Sequence, residues 1–253
     1  MSGLPRAPHA LVTGGGRGIG RAIAAELARS GATVTVLGRQ RAALDETVAA
    51  GDAHFADVAD VVDQAAIRAV VAKAAARRPI DILVANAGIA ESAPFAKSDA
   101  ALFQRMMDVN FMGVVHSIQA ALPSMRGRPY GRAIVIASTA GLKGYAYVTA
   151  YSAAKHAVIG LVRSLALELA NSNITVNAVC PGFTDTDLVA GSIDTIMKRS
   201  GRSREQAVAE LSKHNPQGRL VSPKEVADTV LWLCGEGAGA ITGQAIAVAG
   251  GEI

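Results

Sequence analysis

Seven short apolar segments, each separated from the next by a longer, often alanine-rich segment, constrain the fold of this chain more than any other feature. They predict β-strands over 9–13, 32–38, 53–57, 81–88, 131–138, 173–182 and 243–251. The segments between them predict helices over 17–29, 41–50, 60–76, 98–125 and 149–170. Strands that are apolar on both faces and alternate with helices are typical of a parallel sheet covered by helices on both faces. The predicted class is α/β, with a doubly wound, seven-stranded parallel sheet.

The length of the chain and one polar segment bear on its domain organisation. With 253 residues, half of them hydrophobic, the chain suits one large α/β domain or two small ones. We find neither an internal repeat nor a low-complexity linker, and we expect a single domain over 1–253. The polar stretch 183–221 interrupts the alternation and contains one predicted helix near 203–214. Such an insertion is typical of a substrate lid, and a plain surface connection is the alternative.

The charge distribution argues against a nucleic-acid partner. The net charge is +4, from 25 basic and 21 acidic residues. The densest basic pairs, at 77–78 and 198–199, are not flanked by the aromatic residues that often accompany a basic nucleic-acid-binding surface. We interpret them as solvated helix ends.

Cysteine, histidine and hydropathy patterns argue against further classes. Cys180 and Cys234 lie in apolar surroundings without a CxxC spacing, which indicates reduced core residues of an intracellular, cytoplasmic protein. The five histidines form no metal-binding pattern, so we expect no metal. The first residues hold no apolar stretch of signal-peptide length, and no apolar run reaches about 18 residues, so we expect no membrane span.

A glycine-rich turn follows the first predicted strand. It reads TGGGRGIG over 13–20 and opens the first helix. Glycines permit positive φ and close approach of a ligand, while the free N–H groups at a helix N-terminus suit a phosphate. Gly14, Gly18 and Gly20 give the spacing GxxxGxG, which does not match the GxGxxG dinucleotide pattern. A merely tight connection between strand and helix is the alternative interpretation.

The same turn is close to a P-loop but lacks two groups that a P-loop needs. Gly15 and Gly20 have the P-loop spacing, whereas Arg21 and Ala22 stand where a lysine and a serine or threonine are required. The phosphate-binding lysine and the Mg²⁺-binding hydroxyl are therefore both missing, which argues against a kinase or an ATPase.

The end of the second predicted strand indicates which dinucleotide the chain prefers. An Asp or Glu here binds the ribose 2′-hydroxyl of NAD, but the sequence at 37–40 is LGRQ. Arg39 can bind a 2′-phosphate, and Arg17 in the glycine turn adds a second positive charge. NADP(H) is therefore favoured, and NAD(H) is the alternative if Arg39 is an ordinary solvated arginine. Asp57 is a candidate acceptor for the adenine amino group, or a cap of the next helix.

One predicted helix begins with a phenol and an ammonium group on the same face. Tyr151 and Lys155 are four residues apart, which places them about 6 Å apart along the helix axis. A free tyrosine has a pKa of about 10, and we expect the neighbouring ammonium to lower this pKa. Ser138 ends the fifth strand, at the edge where open α/β sheets bind ligands, and is a candidate partner for the carbonyl oxygen that Tyr151 protonates. Tyr145 and Tyr147 have no lysine four residues later.

A glycine turn, a serine at a strand end and a Tyr-x-x-x-Lys helix, in this order, resemble the short-chain dehydrogenase/reductase family. The resemblance extends over 11–251 and includes NAG at 86–88, PGF at 181–183 and the closing ITGQAIAVAGG. Ala85 and Ala249 depart from the asparagine and aspartate that are common in the family. The resemblance implies a Rossmann-type fold and an oxidoreductase that uses a nicotinamide dinucleotide.

The resemblance also implies a role for each candidate residue. NADPH would deliver hydride to a carbonyl carbon, Tyr151 would protonate the oxygen, and Ser138 would orient it. Lys155 would lower the pKa of Tyr151 and bind the nicotinamide ribose, and Asn110 would hold a water beside it. The candidate catalytic residues are therefore Asn110, Ser138, Tyr151 and Lys155. The candidate cofactor-binding residues are Gly14, Gly16, Arg17, Gly18, Ile19, Gly20, Arg39, Asp57, Val58, Asn86, Ala87, Gly88, Tyr151, Lys155, Pro181, Gly182 and Thr184.

The sequence around these motifs resembles bacterial reductases of 3-oxoacyl thioesters and polyketides, and dehydrogenases of 3-hydroxyacyl-CoA. A 3-oxoacyl thioester or a related β-keto compound is the favoured substrate. The alternative is NAD-dependent oxidation of a secondary alcohol or a 3-hydroxyacyl-CoA, and a non-catalytic dinucleotide-binding protein is a distant third. Basic residues near the predicted lid suit a phosphate-bearing arm or are solvated surface; they are Arg202, Arg204, Lys213 and Arg219. The resemblance implies a homotetramer or a homodimer.

Overall fold

The seven predicted strands pair into one parallel sheet in the computed structural model, which describes residues 3–5 and 7–253, without the side chains of 188 and 199. The strand order is β3-β2-β1-β4-β5-β6-β7. The strands are β1 (His9–Thr13), β2 (Thr33–Gly38), β3 (Phe55–Val58), β4 (Ile82–Ala85), β5 (Gly131–Ile136), β6 (Ile174–Pro181) and β7 (Ala245–Val248). The predicted fold class is confirmed.

Helices cover both faces of the sheet and form two apolar cores. The helices are α1 (Gly18–Arg29), α2 (Arg41–Ala49), α3 (Gln64–Arg77), α4 (Ala100–Met107), α5 (Gly113–Met125), α6 (Thr149–Glu168), α7 (Asp187–Ser200), α8 (Arg204–Ser212) and α9 (Pro223–Cys234). One core contains buried residues of α3, α5 and α6, and the other contains buried residues of α1, α2 and α9. Burial of apolar surface on both faces explains why the strands have near-continuous apolar sequences.

The chain reverses its direction of travel across the sheet at β1. This strand pairs with β2 on one side and with β4 on the other. The connections that leave β1 and β4 therefore diverge, and a crevice opens at the carboxyl ends of these strands. The glycine turn that follows β1 lies at this crevice.

Two helices, α7 and α9, were not predicted from the sequence. The start of α9 carries a signal that sequence reasoning missed, because Ser222 and Glu225 form a capping box and Pro223 occupies the first helical position. The sequence of α7 includes Gly191, which disfavours a helix in isolation. Packing against α8 stabilises it here.

The stretch 183–221 forms a helical hairpin rather than a polar connection with one helix. Its second helix, α8, corresponds to the helix predicted near 203–214. A small apolar core joins α7 to α8, formed by Val189, Ile193, Ala207 and Leu211. A parallel bridge between Thr184 and Val221 closes the base of this hairpin.

The single helix predicted over 98–125 is divided into α4 and α5 by one turn of π-helix, Asp108–Met112. Such turns insert one residue into a helix and are frequent at functional sites. Asn110 lies in this turn and is fully buried. The division therefore falls at one of the candidate catalytic residues.

Within the part of the chain that the structure describes, no helix combines the length and the apolar character needed to cross a membrane. Both cysteines are buried and free.

Candidate active site

One cleft of about 480 Å³ at the carboxyl edge of the sheet collects nearly all the candidate residues. Its lining includes the four candidate catalytic residues. It also includes the candidate cofactor-binding residues Gly14, Gly16, Arg17, Gly18, Ile19, Gly20, Arg39, Asn86, Ala87, Gly88, Pro181, Gly182 and Thr184. Asp57 and Val58 are not part of it.

The glycine turn forms the floor of this cleft. Gly14 and Gly18 have φ values of +67° and +53°, which favour glycine. A Cβ on Gly20 would lie 2.3 Å from the carbonyl oxygen of Gly14, so no larger residue fits there. Because α1 begins at Gly18, the free N–H groups of its first turn lie at the cleft. This arrangement suits a pyrophosphate.

Asn86 braces this floor from the end of β4. Its Nδ2 donates hydrogen bonds to the carbonyl oxygens of Thr13, at 2.9 Å, and Gly14, at 3.3 Å. The hydroxyl of Thr13 accepts from the backbone N–H groups of Asn86 and Ala87, both at 3.0 Å. The amide side chain of Asn86 is thus used to tie β4 to β1, and holds the glycine turn in place.

Arg39 lies at the far end of the cleft, beyond β2. Its side chain is 64 % exposed, and its Nη1 lies 3.7 Å from Oδ2 of Asp60. An exposed ion pair of this length is weak. The guanidinium is therefore available to a phosphate.

The expectation that Asp57 and Val58 contact a cofactor is wrong. Asp57 is buried, and its carboxylate accepts hydrogen bonds of 2.6 Å from both Lys73 and Arg77 of α3. Burial raises the pKa of Asp57, but the hydrogen bonds from these two cations outweigh it and bring the pKa below its usual value. Asp57 does not cap α3 either, because the side chain that caps this helix belongs to Asp63.

Asp60 and Val61 occupy the place in the cleft that sequence reasoning gave to Asp57 and Val58. The sequence at 56–61 is ADVADV, so the same dipeptide occurs twice, three residues apart. The strand β3 ends at Val58, and only the second pair follows the strand end. The repeat itself was the signal that either Asp-Val pair could line the cleft.

Tyr151, Ser138 and Lys155 meet at the middle of the cleft. Tyr151 and Ser138 both line the cleft, and the hydroxyl of Ser138 lies close enough to Tyr151 to lower the pKa of its phenol. Lys155 is buried, its Nζ lies 5.6 Å from the centre of the Tyr151 ring, and this Nζ donates a hydrogen bond of 2.9 Å to the carbonyl oxygen of Ile136. The end of β5 and the first two turns of α6 thus bring together three residues separated by up to 17 positions.

Lys155 does not bring the pKa of Tyr151 below its usual value in this arrangement, contrary to expectation. Burial raises the pKa of Tyr151 above its usual value, and the nearby hydroxyl of Ser138 offsets this only in part. Burial also lowers the pKa of Lys155 itself, to about 8. At neutral pH both groups are therefore protonated, the phenol fully and the amine predominantly.

Asn110 lies behind Lys155, across Gly88. The Oδ1 of Asn110 accepts from the backbone N–H of Ile89 at 3.2 Å, and its Nδ2 donates to the carbonyl oxygen of Met106 at 3.1 Å. A Cβ on Gly88 would lie 2.8 Å from Oδ1 of Asn110 and 3.8 Å from Nζ of Lys155. Glycine at 88 thus permits the close approach of these side chains.

The residues of the cleft fit a nicotinamide dinucleotide. The glycine floor would hold the pyrophosphate, Arg39 and Asp60 flank the space for the adenosine, and Lys155 would bind the nicotinamide ribose. Among residues 3–5 and 7–253, no group of three or more His, Cys, Asp or Glu side chains is arranged to hold a metal ion.

Comparisons with known proteins agree with this geometry. A family model described as short chain dehydrogenase matches residues 8–215. The 3-oxoacyl-(acyl-carrier-protein) reductase of Aquifex aeolicus is 37 % identical, covering 95 % of each chain. The D-beta-hydroxybutyrate dehydrogenase of Rhizobium meliloti is 34 % identical, covering 96 % of this chain and 97 % of its own. A crystal structure of an actinorhodin polyketide ketoreductase variant with NADPH is 37 % identical, covers 97 % of both chains and superposes with a TM-score of 0.93.

Proposed function

Since this chain belongs to the short-chain dehydrogenase/reductase family, whose members act on C=O and CH–OH groups, we propose that it reduces a 3-oxoacyl thioester or a related β-keto compound with NADPH. The observation that carries the proposal is the arrangement of Ser138, Tyr151 and Lys155 beside a glycine floor, with an arginine where an acid would select NAD. The relatives named for ketoacyl and polyketide reduction support the substrate class.

The reaction needs a hydride, a proton and a fixed carbonyl group. When bound, NADPH supplies the hydride. The hydroxyl groups of Ser138 and Tyr151 hydrogen-bond the carbonyl oxygen, and Tyr151 transfers its proton to this oxygen as negative charge develops there. The ammonium of Lys155 stabilises the phenolate that remains, and Asn110 holds a water through which a proton from solvent returns to it.

The electrostatics of Tyr151 suit reduction. Because burial raises the pKa of Tyr151, the phenol carries its proton at neutral pH before the reaction begins. A general acid must be protonated at the start of its step, whereas a general base must not. Tyr151 is therefore in the protonation state that a general acid needs at the start of a reduction.

The hairpin over 183–221 is proposed as the lid of the substrate site within a single domain. Its first residues line the cleft directly after Gly182; these are Thr184, Thr186, Asp187 and Val189. A lid attached at this edge would exclude water from the carbonyl group and the catalytic tyrosine. By the same family membership we propose a homotetramer or, failing that, a homodimer.

The second candidate function is NAD-dependent oxidation of a secondary alcohol or a 3-hydroxyacyl-CoA. The observation in its favour is the ion pair between Arg39 and Asp60, which partly neutralises the charge that would select NADP(H). The relative named D-beta-hydroxybutyrate dehydrogenase supports it. Only the cofactor preference separates the two candidates at this cleft.

Titration of the purified protein with NADPH and NADH tests the proposal. We expect NADPH to bind at least tenfold more tightly, and Arg39→Asp to move the preference towards NADH because the new carboxylate repels the 2′-phosphate and accepts from a 2′-hydroxyl. The matched control is Arg68→Asp, the same charge change at an exposed position on α3. An unchanged ratio in Arg39→Asp would show that Arg39 is not the selector.

Turnover then separates the substrate classes. We expect oxidation of NADPH with acetoacetyl-CoA and little reduction of NAD⁺ with 3-hydroxybutyrate or 3-hydroxybutyryl-CoA. The opposite pattern would contradict the proposal and establish the second candidate.

A further inference from the structure

A buried carboxylate lies beside the candidate active site and has no place in the mechanism above. Glu252 follows β7, and its side chain is 1 % exposed. Its Oε1 accepts hydrogen bonds from the hydroxyl of Tyr145, at 2.5 Å, and pairs with Nζ of Lys143, at 3.0 Å. We call Lys143, Tyr145 and Glu252 the Glu252 cluster.

The hydrogen bonds of the cluster have a definite direction. A phenol has one proton, and Tyr145 gives it to the carboxylate because a carboxylate can only accept. The second contact of this phenol, 2.7 Å from Oγ1 of Thr139, must then be one in which the hydroxyl of Thr139 donates. Burial and the hydrogen bond to Glu252 both raise the pKa of Tyr145, so the phenol keeps its proton.

The Glu252 cluster therefore binds the loop that connects Ser138 to α6. Thr139 directly follows Ser138, and Lys143 and Tyr145 belong to the same connection between Ser138 and α6. Glu252 is more than 100 residues away in sequence, so these contacts fix the connection by a long-range link.

The same carboxylate also lies beside the segment on the other side of the cleft, where glycine leaves room for it. Its Oε2 lies 3.2 Å from the position that a Cβ on Gly182 would occupy. The next residue, Phe183, packs edge-to-face on Tyr145, with ring centres 6.0 Å apart. The ring of His214, which follows α8 within the hairpin, lies with its centre 5.8 Å from the ring centre of the same tyrosine. The Glu252 cluster thus adjoins both walls between which a carbonyl substrate would lie, because Tyr145 contacts Thr139 on one side and Phe183 on the other, and Glu252 lies beside Gly182.

We propose that Glu252 is a positioning residue for the reduction: through Tyr145 and Thr139 it holds Ser138, and against Gly182 it holds the opposite wall, so that the carbonyl group is aligned with Tyr151. This inference rests on the proposed function. A carboxylate suits the task because it satisfies the phenol and the ammonium together, whereas a neutral residue leaves one of these groups without its partner. Misplacement of a reacting group by about 1 Å can cost about a hundredfold in rate.

The test compares Glu252→Ala, Glu252→Gln, Tyr145→Phe and the double variant Glu252→Ala/Tyr145→Phe in steady-state reduction of acetoacetyl-CoA. We expect Glu252→Ala and Tyr145→Phe each to lower kcat/KM by about tenfold to a hundredfold, chiefly through kcat, while the Kd for NADPH changes by less than about threefold. Glu252→Gln still accepts from Tyr145 and should lose less. If the two residues act as one unit, the double variant is no worse than the more severe single variant.

The control is Glu46→Gln, the same change at an exposed position of α2, with wild-type kinetics expected. Wild-type turnover by both Glu252→Ala and Tyr145→Phe would overturn the proposal, and so would losses that multiply in the double variant. If Glu252→Ala does not fold, Glu252→Gln and Tyr145→Phe carry the same comparison.

Hydrogen–deuterium exchange separates this inference from the proposed function. If the wild type turns over no carbonyl compound, the proposed function fails while the positioning contact remains testable. Faster exchange in Glu252→Gln that is confined to 139–148 and 182–183 would still support the contact. Unchanged exchange there would overturn it.

Discussion

The two halves of the cleft are built in different ways. The nucleotide half, residues 14–20, 38–40 and 59–61, consists mainly of backbone and glycine, and most of it follows the ends of β1, β2 and β3 directly. The catalytic half, residues 110, 136–138, 151, 155 and 181–187, together with Glu252 behind it, consists of side chains that meet across long sequence separations. The shape of the nucleotide half is determined by short chain segments, whereas the side-chain contacts of the catalytic half depend on the packing of the whole domain.

This difference determines what a single substitution does in each half. In the nucleotide half an added atom collides with backbone, so that the cost falls on folding and cofactor binding. In the catalytic half a removed atom breaks a hydrogen bond between side chains, so that the cost falls on the rate. Three predictions test this contrast, beginning with the largest expected effect.

Tyr151→Phe removes one oxygen atom from the catalytic half. We expect kcat to fall by about 10²–10⁴-fold because the phenol that lines the cleft and would protonate the substrate oxygen is lost, while the Kd for NADPH stays within about threefold. Single-turnover kinetics and a fluorescence titration measure the two quantities. Near-normal turnover would show that another group is the acid. It would also contradict the expectation that substitutions in the catalytic half act on the rate.

Gly20→Ala adds one carbon atom to the nucleotide half. We expect it to lower the free energy of unfolding by about 3 kcal/mol and to weaken NADPH binding, since its Cβ meets the carbonyl oxygen of Gly14 at 2.3 Å. The matched control is Gly160→Ala in α6, where a Cβ meets no atom within 4 Å, and where alanine should stabilise the helix by up to about 1 kcal/mol. Denaturant titration measures both. Equal stability of the two variants would mean that the turn adapts at no cost.

The repeated Asp-Val pair gives the smallest expected effect. One copy, Asp60-Val61, lines the nucleotide half, whereas the other copy, Asp57-Val58, lies outside it. Asp57→Asn should lower the free energy of unfolding at pH 7 by about 1–2 kcal/mol, since a charged hydrogen-bond acceptor for Lys73 and Arg77 is lost. Asp60→Asn should change stability by less than about 0.5 kcal/mol and instead alter dinucleotide binding.

The pH dependence of these variants follows from the lowered pKa of Asp57. The native state binds this proton less readily than the unfolded chain, so the contribution of Asp57 is fully present above the unfolded pKa of about 4. It is lost as the pH falls through the lower, folded pKa. The stability gap between wild type and Asp57→Asn should therefore close in acid, and a gap that persists there would contradict the ion-pair interpretation.

The sequence predicted which residues line the cleft better than it predicted the contacts among them, for a physical reason. Glycine spacing and the order of strands and helices are local patterns, and the structure brings Gly14, Gly18 and Gly20 together where the pattern indicates. The register error at Asp57 arose because two identical dipeptides differ only in whether the strand has ended.

Other features of the site depend on tertiary contacts. The contact between Tyr145 and Glu252, and the burial that raises the pKa of Tyr151, require segments that are distant in the chain. A pair of residues four apart indicates which groups are neighbours, but it does not indicate how dry their surroundings are. The expected fall in the pKa of Tyr151 was therefore wrong, although Tyr151 and Lys155 do lie side by side.

The π turn between α4 and α5 has a consequence for how the gene can change. It corresponds to one extra codon inside a continuous helix. Removal of one residue between 108 and 112 would restore a regular α-helix and keep both flanking helices, but it would rotate one relative to the other by about 100°. Asn110 could then no longer face both Gly88 and Lys155. The smallest possible deletion in this helix would therefore make its backbone regular but would remove a buried amide from its place beside the active-site lysine.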